Sequence, residues 1–518
     1  MSKETFYITT PIYYPSDKLH IGHTYCTVAA DVMARYKRMR GYDVLFLTGT
    51  DEHGMKIEER ANAAGVTPKE FVDEIIIGEN GILDLWKLMN ISYDRFIRTT
   101  DDYHIRSIQR IFRALYDKGD IYKSVYKGEY CTPCESFWTQ SQLVDGKCPD
   151  CGRDVQYAEE EAYFFRQSNY GGKIAINIYD YLEPQSRINE MVNNFLAPGL
   201  EDICVSRSTF KWGIPVDFDP GHVVYVWVDA LSNYITALGF ANDKYKDFDK
   251  YWPCDVHFVG KEIVRLHSIL WPAMLLALGL PLPKKVFGHG WLQVDGEKIG
   301  KSKGNAIDPF VLAEKYGVDT LRFFLLREFT FGSDGNFTNN LLISRANSDL
   351  SNDFGNLVAR TVAMIDKYFG GTLPDEREAA PPDDELIALA ENLHIEYELN
   401  MEKYAFQHAL TEIFKVSSRA NKYIDETTPW LLAKDGKRAR LASVLYNLIE
   451  TIRICTVLLR PFIPKSCDDI FEQINAVGTL TEYDSSLFFG AFHQNTSVNK
   501  GDIIFPRFEV EKEAVEFD

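Results

Sequence analysis

Compact runs of aromatic and β-branched residues alternate along this chain with stretches whose apolar positions recur every three or four residues. That is the pattern of buried strands followed by helices packed on them. Phe6, Tyr7, Ile8, Thr9 and Thr10 predict a first strand, which Pro11 and Pro15 should end, and Ser16-Asp17 supplies turn chemistry. From Ile21 the apolar positions recur at Tyr25, Val28, Ala29, Val32, Tyr36 and Met39 until Gly41, one face of a helix. Asp43 to Leu47 predicts a second strand, followed by a helix from near Gly54. Thr67-Pro68-Lys69-Glu70 is a capping box with proline at the first helical position, and predicts a helix running to about Met89. This first α/β unit closes near Gly119. The strand-and-helix pattern returns at Val223–Leu238 and again at Asp255–Val259, the latter followed by a helix carrying His267. Glycines and prolines among acidic residues at 370–385 mark a boundary, after which helical periodicity dominates from Leu386 to about Ile474, as in an α-bundle.

Composition narrows the reading. At 518 residues the chain has room for three or four domains, and 45% hydrophobic with 25% charged residues is an ordinary globular balance. A net charge of −19 means that any nucleic-acid contact must rest on local basic patches. Met-Ser-Lys-Glu-Thr lacks an apolar signal core, and the longest apolar run, Ile269–Leu280, is short for a bilayer and contains Pro272, so a cytoplasmic protein is expected. Cys26, Cys204, Cys254, Cys455 and Cys467 are scattered and read as buried thiols.

The other four cysteines form two knuckles, Cys131-Thr-Pro-Cys134 and Cys148-Pro-Asp-Cys151, thirteen residues apart. Each thiolate pair can span two vertices of a tetrahedron while the intervening hairpin returns the chain, so one structural Zn²⁺ per chain is expected. A closed four-cysteine site has no open position for water, so this metal should stabilise an insertion and do no chemistry.

Candidate chemistry lies elsewhere. His20-Ile-Gly22-His23 sits at the start of the first predicted helix, where unpaired N–H groups and the positive end of the macrodipole attract phosphate. The histidines add side-chain donors, and Gly22 lets a bulky ligand approach the backbone. Asp51, in Thr48-Gly-Thr-Asp-Glu-His-Gly54, follows the second strand at the edge where open parallel sheets bind ligands. It is either the partner of a substrate ammonium or a helix N-cap. Lys298-Ile-Gly-Lys301-Ser302-Lys-Gly304 is a positively charged, glycine-containing loop suited to a polyphosphate. Only three residues separate Gly296 from Gly300, one short of a P-loop, and Gly304 and Pro309 block the helix a P-loop requires. Asn356 and Arg360, four apart, share a helix face, and Trp430 with Lys434, Lys437, Arg438 and Arg440 close behind could form a platform for single-stranded RNA.

His20-Ile-Gly-His23 resembles the first signature of class I aminoacyl-tRNA synthetases, and Thr9-Thr-Pro-Ile-Tyr-Tyr14 before it looks like the methionyl version. The lysine loop resembles the Lys-Met-Ser-Lys-Ser signature, departing at Ile299 and Gly300. With the zinc knuckles and the α-helical end, the resemblance covers the whole chain. It implies an α/β class I fold: a Rossmann-like parallel sheet split by a zinc-bearing insertion and followed by a helical anticodon-binding domain. The implied division is catalytic half 1 over 1–118, connective insertion 119–222, catalytic half 2 over 223–290, signature-loop region 291–350 and anticodon domain 351–518.

The resemblance further implies methionine activation by Mg²⁺–ATP and transfer to tRNA(Met) for elongation and initiation. It puts Ile12, Tyr14, Trp227, Leu231, Tyr234, Ile263 and His267 around the methionine side chain, with Asp51 on its amino group. His20, Gly22, His23, Lys298, Lys301 and Ser302 would serve ATP, with both histidines and both lysines catalytic, and Asn356, Arg360 and Trp430 the anticodon. The segment between the halves is modest beside the editing insertions of the leucine, isoleucine and valine enzymes, and a closed zinc knuckle does not suit a cysteine pocket. The intact histidines and lysines argue against a non-catalytic RNA-binding relative. A monomer is expected, because family members often carry a further dimerising domain and this sequence runs to Asp518, soon after Phe505-Pro-Arg.

Overall fold

The computed structural model describes residues 3–134, 136–138, 140–299, 305–492 and 496–509, and it divides into two compact units. The first comprises residues 1–34 and 41–291, the second residues 35–40 and 292–518.

A parallel six-stranded sheet organises the first unit. Its strands are β1 (Thr5–Tyr13), β2 (Asp43–Thr50), β3 (Arg95–Arg98), β4 (Leu182–Glu183), β5 (Val256–Gly260) and β6 (Val286–His289), in the spatial order β3-β2-β1-β5-β6-β4. The two halves of the chain therefore meet at the β1–β5 pair, where Ile8 lies opposite Val256 and Thr9 opposite His257. From β1 the chain crosses one way to β2 and β3, while from β5 it goes the other way to β6. That reversal is the switch point at which open α/β sheets leave a crevice beyond their strand ends.

Helices α1 (Ile21–Met39), α2 (Asp102–Asp117), α3 (Val226–Thr236) and α4 (Trp271–Leu278) accompany this sheet. The predicted α1 face is buried at Tyr25, Val28, Ala29, Val32 and Tyr36, and Gly41 stops the chain at φ +86°.

Three expectations are corrected here. Pro11 does not end β1; the strand continues to Tyr13 across a bulge in which Thr9 pairs with Leu47 but Ile12 pairs with Gly49. Proline has no N–H to give the ladder, so the extra residue falls there and re-aims Ile12 and Tyr13. The helix predicted over 67–89 is two, Pro68–Ile77 and Ile82–Leu88. The first keeps the Thr67–Glu70 capping box, but Gly78 turns extended and Gly81 caps the second. The Val223–Leu231 run is not a strand of the parallel sheet. Val223 and Val224 end an antiparallel strand in a separate three-stranded sheet, and from Val226 the chain is helical. Burial on all sides selects valine and tryptophan as readily in a buried helix as in a strand.

The insertion is built on a long antiparallel hairpin, Ile121–Cys131 against Gln156–Phe165, with the cysteine knuckles at its tip. The second unit opens with a small three-stranded sheet and is mainly helical among the described residues, with α5 (Val318–Glu328), α6 (Asn356–Phe369), α7 (Phe406–Thr427) and α8 (Arg438–Leu459) among its longer helices. α8 is long and apolar enough to cross a membrane, yet it is buried from Arg440 to Leu459. The five scattered cysteines are buried and form no disulfide.

Candidate active site

The end of β1 and the start of α1 bring His20, Gly22 and His23 together beside the switch point. The two imidazoles lie 4.0 Å apart between ring centres. The backbone N–H of Gly22 donates to Nδ1 of His20 and that of His20 to Nδ1 of His23, each at 3.1 Å. Because both Nδ1 atoms accept, the neutral rings carry their protons on Nε2 as donors. The first turn of α1 contains no acidic residue, so helix N–H groups and imidazole donors favour an anion together. Tyr13 meets the edge of His23 at 5.4 Å and bonds Thr27 of α1 at 2.6 Å, which fixes the strand end against the helix. Gly22 serves the histidine directly: a Cβ there would lie 2.9 Å from Cε1 of His20 and 3.1 Å from its Nδ1.

Of the residues expected around the methionine side chain, Trp227, Leu231 and Tyr234 lie on α3, and Ile263 and His267 in the turns after β5. Leu231, Tyr234 and His267 are buried, and Ile12, Trp227 and Ile263 pack partly buried against the same core. Nδ1 of His267 donates to the Ile263 carbonyl at 3.0 Å, so its Nε2 accepts from the Tyr234 hydroxyl at 2.8 Å. Burial brings the His267 pKa down to about 4, which makes it a neutral wall at physiological pH. The His257 ring on β5 lies 4.2 Å from that of Tyr234, tilted by 39°, and burial, with His267 nearby, holds it well below the usual histidine range. These residues therefore bring together aromatic and aliphatic surface whose Tyr234 hydroxyl and His267 nitrogens are engaged, chemistry suited to a neutral, polarisable side chain. Tyr14 stands half-buried just after β1, with the Lys56 ammonium 5.8 Å from its ring centre.

Asp51 is buried, its N–H donating to the Tyr13 carbonyl at 2.9 Å. The helix that follows starts at Met55 with Gly54 as N-cap and no side-chain capping bond, so Asp51 does not cap it. Burial, and after it the nearby Cys254 thiol, raises the Tyr234 hydroxyl well above the usual tyrosine range, with Asp51 adding a smaller push in the same direction.

Asp229, a lone acid in the apolar run Val226–Leu231, is a buried charge that periodicity alone did not bring out. Its Oδ2 accepts from Nδ1 of His53 at 2.7 Å and its Oδ1 from Nε2 of His104 at 2.6 Å. Burial alone would raise this carboxyl, but the two imidazoles hold it below the usual range. An isolated acid in an otherwise apolar run is the sequence signal of a partnered buried charge.

At the hairpin tip, ligand atoms of Cys131, Cys134, Cys148 and Cys151 all lie within 4.8 Å of one another, with Cys131 and Cys151 sulfurs 3.5 Å apart. A tetrahedron of sulfurs about 2.3 Å from a central ion has edges of about 3.8 Å, so the cluster matches a zinc-sized cavity. Burial pushes the Cys131 thiol up to about 12, while the Cys134 N–H facing its sulfur pulls the other way. A divalent cation in the centre would reverse the balance by holding all four as thiolates.

In the second unit, Asp295 and Gly296 form a two-residue hairpin turn with φ of +53° and +76°, which pairs Gln293 with Lys298. Lys298 is exposed there and Ile299 buried behind it; Lys301 and Ser302 lie outside the described residues. Asn356 and Arg360 start α6, with Arg360 3.8 Å from Asp425 on α7. α7 leads directly into Pro429-Trp430, and Trp430 is 44% exposed, an indole face on the surface instead of in the core. One member of the basic cluster is corrected: Arg440 is buried and paired to Asp383 at 2.6 and 2.7 Å.

A family model described as tRNA synthetases class I (M) matches residues 6–160 and 154–362, and one described as the anticodon binding domain of methionyl tRNA ligase matches 373–516. The chain is similar to the methionine–tRNA ligase of Caldanaerobacter subterraneus, 61% identical across 99% of this chain and 80% of that protein. It is 58% identical to that of Clostridium tetani across 100% and 81%. A solved structure of Mycobacterium tuberculosis methionyl-tRNA synthetase with methionyl-adenylate superposes with a TM-score of 0.92 at 38% identity, covering 97% of this chain and 100% of that one.

Proposed function

The chain belongs to the methionine–tRNA ligases, class I synthetases of the methionyl type, and from that premise we propose how its residues divide the work. In the ligase reaction a methionine carboxylate oxygen attacks the α-phosphorus of ATP and pyrophosphate leaves. The ribose hydroxyl at the tRNA 3′ end then attacks the methionyl carbonyl and AMP leaves. Neither step needs a protein nucleophile. Both depend on positioning and on donors that meet developing negative charge.

The observation that supports the assignment is the presence beside the β1–β5 switch point of a helix start with two imidazole donors, together with the buried, uncharged Tyr234–His267 pair. His20 and His23 contact the ATP phosphates through Nε2–H, while Gly22 gives the His20 ring its place. Lys298, Lys301 and Ser302 supply the remaining phosphate contacts, and Mg²⁺ accompanies ATP. Asp51 holds the methionine ammonium. Trp227, Leu231, Tyr234 and His267 enclose the thioether, with Ile12, Tyr14 and Ile263 completing the slot, and its neutrality selects against charged side chains. Zn²⁺ in the four-cysteine site organises the insertion. Asn356, Arg360 and Trp430 read the anticodon, Trp430 by stacking on a base. The functional parts follow the division 1–118, 119–222, 223–290, 291–350 and 351–518. One chain supplies every residue named, and we take the working form to be a cytoplasmic monomer.

Charging tests this division. With L-methionine and Mg²⁺–ATP, the chain should charge a tRNA transcript bearing the methionine anticodon. Changing one anticodon base should lower kcat/KM for tRNA while methionine-dependent adenylate formation is unaffected. Equal charging of both transcripts would remove Asn356, Arg360 and Trp430 from anticodon reading.

A further inference from the structure

We propose that Asp229 is a positioning residue that fixes the spacing between the ammonium contact and the side-chain slot, by tying the Asp51 loop to helix α3 through His53 and His104. The inference rests on the assignment of that slot to methionine. Asp229 lies two residues from both Trp227 and Leu231, and His53 two residues from Asp51. One carboxylate thus joins the segment that would hold the amino group to the segment that would hold the thioether.

The geometry leaves this tie little freedom. A carboxylate only accepts, so His53 donates through Nδ1 and His104 through Nε2. In neutral His104 the other nitrogen accepts from the Thr236 hydroxyl at 2.7 Å, and Thr236 ends the same helix that carries Asp229. His104, on α2, is therefore clamped along α3 at two points. On the other side the His53 ring packs on Trp212 at 5.3 Å. Trp212 donates from its indole to the Glu52 carbonyl at 2.6 Å and accepts at its own carbonyl from Gly54 N–H at 3.0 Å. Glu52 also receives Arg98 from β3 at 2.6 and 2.8 Å. The loop bearing Asp51 is thus held on both flanks, and His53 is its link to α3. Asp229, His53 and His104 are 7% exposed or less in their side chains, so water cannot replace a lost partner cheaply.

A fixed distance between two anchor points discriminates by substrate length. Removing the tie should raise KM for methionine and relax selection against longer and shorter amino acids, without altering ATP affinity. The test compares His53→Ala, which deletes the donor, with His53→Asn, whose amide N–H reproduces Nδ1–H. Pyrophosphate exchange is measured with methionine, ethionine and norvaline, with ATP varied separately. His53→Ala should raise methionine KM about tenfold or more, narrow the preference for methionine over both analogues, and leave ATP KM within about twofold. His53→Asn should restore most of each change. An Ala variant that melts earlier but keeps wild-type methionine KM and selectivity would overturn the proposal, as would one that loses methionine and ATP binding in parallel. Asp229→Asn is the harsher check, because its amide places a donor against an N–H, and calorimetric methionine binding as tight as wild type would also overturn the proposal. Failure of the slot assignment itself shows separately, as wild-type enzyme that neither binds nor activates methionine.

Discussion

Gly22→Ala sets two effects of opposite sign against each other. Alanine is the better helix former, by about 1 kcal/mol in a helix interior and less at a terminus, so the substitution alone should leave stability unchanged or slightly raised. The new Cβ, however, would lie 2.9 Å from Cε1 of His20. Carbon atoms rest comfortably at about 3.5–4.0 Å, so the ring must retreat by roughly 0.6–1.1 Å. The Gly22 N–H to His20 Nδ1 bond, now 3.1 Å, is then lost or distorted. A displacement of about 1 Å in a positioned group costs up to about a hundredfold in rate. The expected outcome is a protein that melts no earlier than wild type and binds methionine normally, yet forms adenylate about ten- to a hundredfold more slowly at saturating ATP. Stopped-flow measurement of the first turnover, with ATP and methionine each titrated, separates rate from affinity. A variant with a wild-type first-turnover rate would refute the reasoning, because it would mean that the His20 ring position does not matter to the transition state.

Other outcomes follow from other parts of the structure. The wild type should carry about one zinc per chain, and Cys148→Ser should lose it and destabilise the insertion before it affects methionine affinity; metal analysis with a parallel melting curve checks both. His267 is held near pKa 4 against about 6.5 unfolded, so the stability it lends is complete above pH 6.5 and lost as pH falls towards 4. His267→Gln should accordingly flatten the melting temperature between those pH values, and an equally steep variant would exclude His267 as the source. Trp430→Ala should lower kcat/KM for tRNA about five- to 150-fold, the worth of one base–aromatic stack, and leave pyrophosphate exchange unchanged.

The parts legible in the sequence are those whose chemistry is contiguous. The His20–His23 turn needs a strand end, a glycine and a helix start within a few residues, and the four cysteines carry their geometry in their spacing. What the sequence hides depends on partners far along the chain. Pro11 could stay within a central strand because β1 bulges there between its pairings with Leu47 and Gly49 of β2. The Val226–Leu231 run formed a helix because α3 is buried on nearly every side, which erases the periodicity that separates helix from strand. Arg440, which counts as a surface cation by composition, is taken up by Asp383 more than fifty residues earlier. Asp229 shows the same limit at the slot, since its partners come from a loop and a helix over a hundred residues before it.

The most direct test of the account is exchange of labelled pyrophosphate into ATP by the purified chain, with amino acids supplied singly. The proposed neutral aromatic slot beside the His20–His23 helix start predicts Mg²⁺-dependent exchange with L-methionine, and little or none with leucine, isoleucine, valine or cysteine. Absence of methionine-dependent exchange, or equal exchange with one of those four, would contradict it.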